Sequence, residues 1–172
     1  MDQLAKHLSA VLSCTNNCTC EHVSISRFSP SPVQNEENIA ACASHPHHSD
    51  KAGNVTHKVF DRAFTQGLSV TRLAVAEGGM AQVISTCVAI DAKKKGKTFM
   101  GVVTLTVDDV RNIIFKGCNS RAFNVYDTAY QSNPAHADVV GSKYFGNTDE
   151  LPKLEQLARN RVQKELLGKI HP

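Results

Sequence analysis

The sequence predicts a single α+β domain, a small mixed sheet of about five strands covered by helices. Three observations lead there. Residues 67–74 and 136–140 alternate apolar and polar side chains, the signature of strands with two unlike faces. Residues 99–106 form an unbroken run rich in Val and Thr (Val102, Val103, Thr104), as in a strand buried on both faces. Leu151, Leu154, Leu157, Ala158, Val162 and Leu166 recur at helical spacing, with Lys153, Glu155, Arg159 and Lys164 opposite, so the chain ends in an amphipathic helix. Helical and extended segments follow one another in mixed order with no internal repeat, which is the pattern of one α+β unit.

The remaining elements follow in order. Residues 2–12 carry Leu4, Leu8, Val11 and Leu12 at helical spacing behind Asp2, and a Cys-rich loop ends that helix. This gives two regions, an N-terminal helix and Cys-rich segment over residues 1–21 and the α+β domain over residues 22–172. Residues 22–28 alternate and read as a first strand, broken by Ser29-Pro30-Ser31-Pro32. Asn35, followed by Glu36 and Glu37, predicts a short helix over 35–43. Residues 44–54 are a polar, His-rich surface loop, and 58–64 a brief strand or tight loop burying Val59, Phe60 and Phe64. On 67–74, Leu68, Val70 and Arg72 alternate with Ser69, Thr71 and Leu73. Residues 80–92 predict a mostly buried helix, and Lys93-Lys94-Lys95-Gly96-Lys97 a basic turn. Thr106 caps a helix over 107–115 whose Asp108 and Asp109 suit its N-terminal dipole, and Gly117 stops it. Residues 122–126 alternate again. Pro134 then fixes the entry to a strand that places His136 and Asp138 on one face.

Composition narrows the setting. The chain has 172 residues, a formal charge of +3, no Trp and six cysteines, so aliphatics and Ala must fill a core of ordinary size. No apolar run approaches a membrane span, and Asp2, Lys6 and His7 interrupt what a signal peptide would need. A cytoplasmic location follows from this reading. There the cysteines are expected as thiols or metal ligands, not disulfides. The small positive charge lacks the clustering of a dedicated nucleic-acid binder.

Ser26-Arg27-Phe28, Val59-Phe60, Gly67-Leu68-Ser69-Val70-Thr71-Arg72, Gly101-Val102-Val103 with Thr106-Val107, and Asn133-Pro134-Ala135-His136-Ala137 occur in that order. The ordered set resembles a group of small uncharacterised bacterial cytoplasmic proteins with no assigned activity. They share an arginine-bearing first strand, a "leu-ser-val" strand and a "pro-x-his-ala" strand before a C-terminal helix. The likeness spans roughly residues 23–167 and leaves out the Cys-rich segment, and the loop over residues 30–54 is individual to this chain.

Candidate chemistry falls into four groups. Cys14, Cys18, Cys20 and His22 place four zinc-type ligands within nine residues, spaced C-x3-C-x-C-x-H. His45, His47 and His48 lie in the polar loop and could join Cys42 in a second metal site, or be incidental. Arg27, Ser69, Arg72 and His136 all sit on or beside expected strands. Together they would form a phosphate or carboxylate pocket with His136 as acid or base and Ser69 as donor or nucleophile. The competing reading pairs the arginines with Asp61, Asp127 or Asp138 as a structural network. Lys93 to Lys97 is either a solvated turn or a weak nucleic-acid contact. No G-x-S-x-G, P-loop or dinucleotide fingerprint occurs.

The expected function is therefore a small binding module. It docks a protein partner or a small anionic ligand within a multi-component bacterial system, such as defence or toxin–antitoxin, with oligomer contacts through residues 2–12 as one route. The alternative is an NAD- or nucleotide-processing enzyme with an ADP-ribosyltransferase-like site. His136 would there stand in place of the usual glutamate, and Arg27, Ser69 and His136 would share one cleft. Nucleic-acid binding through the lysine turn is the third reading.

Overall fold

The structure, a computed structural model, describes residues 21, 26–114, 121–141, 151–162 and 170–171. A sheet of six strands organises the chain. They are β1 (Asn38–His45), β2 (Leu68–Arg72), β3 (Thr98–Thr106), β4 (Phe123–Asp127), β5 (His136–Gly141) and β6 (Ile170–His171), in the order β4-β5-β2-β1-β3-β6. Every neighbouring pair is antiparallel, so the sheet is not the mixed one expected. The helices are α1 (Gly79–Ala92), α2 (Val107–Arg111) and α3 (Leu151–Arg161), with a 3-10 helix at His57–Phe64. Among the described residues no helix is long and apolar enough to cross a membrane.

The strand β1 replaces the helix expected over 35–43. Its residues Ile39, Ala41 and Ala43 face the main core, while Ala40 and Cys42 face α1. Hydrogen bonding to β2 on one side and β3 on the other outweighs the helix-like pattern of Asn35-Glu36-Glu37 and the three alanines. Residues 57–64 are 3-10 helix rather than strand, capped by Thr56, and still bury Val59 and Phe60. The first strand expected at 22–28 does not appear where it is described: residues 26–28 form a turn.

One face of the sheet carries the main core. Leu68 and Val70, Val103 and Leu105, Phe123 and Val125, and Ala137 and Val139 pack against the 3-10 helix, α2, and Ala158 and Val162 at α3. Thr106 caps α2 by accepting from the Asp109 N–H at 3.2 Å, as its sequence implied, but α2 ends at Arg111. Gly141 closes β5 beneath the Phe64 ring; a Cβ there would lie 2.5 Å from Phe64 Cδ1. Arg159 of α3 reaches Asp61 at 2.9 Å and stacks over the Phe64 ring.

The other face is covered differently along its length. Over β1 and β3, α1 packs Val83 and Cys87 onto Ala40 and Val102. A disulfide between Cys42 of β1 and Cys87 of α1 pins this layer, which corrects the expectation that these cysteines are thiols or metal ligands. The helix is less buried than expected, since Val88 and Ile90 are exposed.

Two buried arginines tie the loops to the sheet. Arg72, 1% exposed, donates to both carboxylate oxygens of Glu37 at 2.7 Å, to Asp127 and to the Ser31 carbonyl at 2.8 Å. Ser29 also donates to Asp127. Arg111 donates to Glu21 at 2.7 Å and to the carbonyls of Val33 and Val125. Glu21 accepts at once from Arg111, from Arg121 and from the Val125 N–H at 3.0 Å. The Val125 N–H and C=O on the outer side of β4 are thereby occupied by side chains.

Candidate functional site

The candidate site lies on the face of β2 and β5 opposite the main core. Strand pairing sets Ser69 against Asp138 and Thr71 against His136, and the pleat turns these four to the same side. Tyr126 of β4 lies across from Asp138, buried, and burial together with the Glu21 carboxylate raises its phenol above the usual range. After β4 the chain passes through Thr128 and Ala129 into a turn closed by paired backbone bonds between Tyr130 and Asn133. Pro134 and Ala135 then lead into β5. This return places Thr128 directly beside His136.

Hydrogen bonds order the cluster. The buried Asp138 carboxylate accepts from Thr128 Oγ1 at 2.6 Å and from Ser69 Oγ at 3.4 Å. A threonine hydroxyl has one hydrogen, and here it goes to the carboxylate, so Thr128 Oγ1 faces His136 Nδ1, 2.8 Å away, as an acceptor. The Thr128 carbonyl, 3.3 Å from the same nitrogen, can only accept. Nδ1 therefore carries the ring hydrogen. In the neutral imidazole this leaves Nε2 with its lone pair. The Tyr130 ring packs against the imidazole with centroids 5.1 Å apart.

His136 and Ser69 open onto a cleft of about 1080 Å³ between the strand face and α1. The floor holds Ala40, Cys42, Ser69 and Thr71, α1 supplies Gln82 and Thr86, and the Tyr130–His136 segment forms the far wall. Both disulfide cysteines line it. Among the described residues Glu77 is the one acid in the lining, and no lysine or arginine lines it.

The four residues singled out from the sequence divide. Ser69 and His136 line the cleft together. Arg72 lies on the opposite face of β2, enclosed by Glu37 and Asp127, so the structural network is the arrangement found for it. Arg27 is exposed in a turn with its guanidinium 4.7 Å from the Phe28 ring centroid, and does not line the cleft. The trio required by the ADP-ribosyltransferase-like reading is therefore not assembled.

Of the metal ligands, Cys14, Cys18, Cys20 and His22 lie outside the described residues. Among the described residues no group of His, Cys, Asp and Glu is placed to hold a metal ion. Cys42 is committed to the disulfide, His45 Nδ1 meets Ser49 Oγ at 2.7 Å, and His48 Nδ1 accepts from the Ser44 N–H at 3.1 Å. The lysine turn lies outside the cleft.

Thr128, Tyr130 and Gln82 were not singled out from the sequence. Asp138 was visible as sharing a face with His136, but the hydroxyl joining them comes from a loop with no periodicity to announce it. No family model, curated protein or solved structure matches the chain.

Proposed function

We propose that the protein is a binding module whose cleft between α1 and the β2–β5 face takes a small, uncharged polar molecule carrying a planar ring. The composition of the cleft wall carries this reading. Tyr130 and His136 offer ring faces, Ser69, Thr71, Gln82 and Thr86 offer neutral hydrogen-bonding groups, and among the described residues no lysine or arginine lines it. The anionic ligand inferred from Arg27 and Arg72 gives way to an uncharged one, because neither guanidinium lines the cleft. The Cys42–Cys87 disulfide favours an oxidising compartment over the cytoplasm.

The test is thermal unfolding against matched pairs of nucleosides and nucleotides, with sugars and simple phosphates alongside. A ligand at a hundred times its Kd adds about 2.7 kcal/mol. For a domain of this size that is a rise in Tm of about 5–10 °C. The uncharged, ring-bearing members are expected to give the rise, and Tyr130→Ala to remove it. Larger shifts from the phosphate-bearing partners, or shifts indifferent to Tyr130→Ala, would refute the proposal.

A further inference from the structure

We infer that the cleft is hydrolytic: His136 Nε2 is a general base that activates water against a carboxylic ester held in it, with Thr128 and Asp138 as positioning residues. The inference rests on the proposed cleft and deepens it by naming a reaction class.

The argument begins with the hydrogen-bond chain. Asp138 is 2% exposed, which makes its carboxylate a strong, fixed acceptor. It takes the Thr128 hydrogen at 2.6 Å, and Thr128 Oγ1 in turn takes the His136 Nδ1 hydrogen at 2.8 Å. Carboxylate, hydroxyl and imidazole thus form a directed relay, and its direction leaves the Nε2 lone pair free. His136 keeps 17% of its side chain exposed, within the cleft lining. The Thr128 hydroxyl and the Thr128 carbonyl both meet Nδ1, so together they fix the tautomer.

Asp138 Oδ2 lies 3.8 Å from Nδ1 and is joined to it through the threonine hydroxyl. Water bonded to Nε2 gives up a proton to that nitrogen as its oxygen bonds to the ester carbonyl carbon, forming a tetrahedral oxyanion. The oxyanion collapses, the bond to the alcohol oxygen breaks, and the Nε2 proton passes to the departing alkoxide. One ester and one water become one acid and one alcohol, and the imidazole returns neutral. No metal or redox partner is needed. Ser69 is not the nucleophile in this scheme, because its hydroxyl is directed at Asp138 rather than at the imidazole.

Two measurements on the intact chain test the inference. The first is long-range nitrogen–proton NMR of the imidazoles, which reads the tautomer without any ligand. The expected result is hydrogen on Nδ1 of His136, with Thr128→Val weakening that preference. The second is hydrolysis of p-nitrophenyl acetate. General-base assistance is worth about 10²–10⁴-fold. His136→Gln is expected to lower the rate about 10²-fold, and Thr128→Val and Asp138→Asn by intermediate factors. Thr128→Val, which preserves shape, keeps the test valid should Asp138→Asn unfold. Hydrogen on Nε2 in the wild type, or equal rates for wild type and His136→Gln, would overturn the inference. Its failure is separable from that of the binding proposal. Equal ester rates beside intact thermal shifts from uncharged ligands strike the hydrolytic reading alone, and lost thermal shifts beside His136-dependent hydrolysis strike the ligand class alone.

Discussion

Reducing the Cys42–Cys87 bond should cost the fold a large share of its stability. The bond closes 45 residues of chain between β1 and α1. Loop-closure entropy for a ring of that length, released when the unfolded chain is uncrosslinked, amounts to about 4 kcal/mol at 25 °C. Folded domains stand only about 5–15 kcal/mol above their unfolded states. At about 2–4 °C per kcal/mol for a domain of this size, Tm should fall by ~8–16 °C on reduction. Scanning calorimetry with and without reductant measures this. The Cys42→Ala/Cys87→Ala protein isolates the contribution of this pair from the other cysteines. It should melt near the reduced wild type, and reductant should shift it little. Because both cysteines are among the residues lining the cleft, the same treatment should also weaken ligand binding there. A change in Tm below about 2 °C, or alkylation of Cys42 and Cys87 in unreduced protein, would refute the reasoning.

Other expectations concern separate parts of the molecule. Arg72→Met strands Glu37 and Asp127 in the interior, a loss of about 3–5 kcal/mol readable as a lower urea midpoint. Cleft binding by the surviving folded protein should be unchanged, since Arg72 faces the other way. The His48 imidazole is held below its ordinary value of 6.5 by burial and by the Lys97 and His47 charges. The unfolded chain therefore takes up protons more readily there. Stability from this group is whole above pH 6.5 and falls as pH drops through 6.5 toward the depressed folded value. Denaturation midpoints across that window should fall less steeply in His48→Asn, which keeps an acceptor for the Ser44 N–H. Gly141→Ala should cost about 1–3 kcal/mol by driving a methyl group into the Phe64 ring, and Phe64→Leu in the same chain should recover part of it.

Much of the sheet is legible because its strands have unlike faces. Residues 68–72 and 136–141 alternate, and the structure turns Ser69, Asp138 and His136 to one side as that alternation requires. The same rule already separates Ser69 from Arg72: three positions apart on one strand, they must point in opposite directions. Grouping the two in one pocket neglected it. β1 was obscured for a different reason. Both of its faces are packed, and α1 is drawn close by the disulfide, so small residues such as Ala40 replace the β-branched side chains that usually announce a strand. Asn35-Glu36-Glu37 then imitated a helix start, although Glu37 serves to bind Arg72. Thr128 could not be found from spacing, since its role depends on how the turn at 130–133 folds back.

The occupied outer groups of Val125 bear on where the chain can be shortened. A division after residue 21, attractive from composition, removes the carboxylate that engages the Val125 N–H, and leaves Arg111 and Arg121 without that counterion. A protein beginning at residue 22 would present β4 as a bare sticky margin, ready to recruit the same strand of another molecule. Light scattering should then report growing particles where the parent stays dispersed.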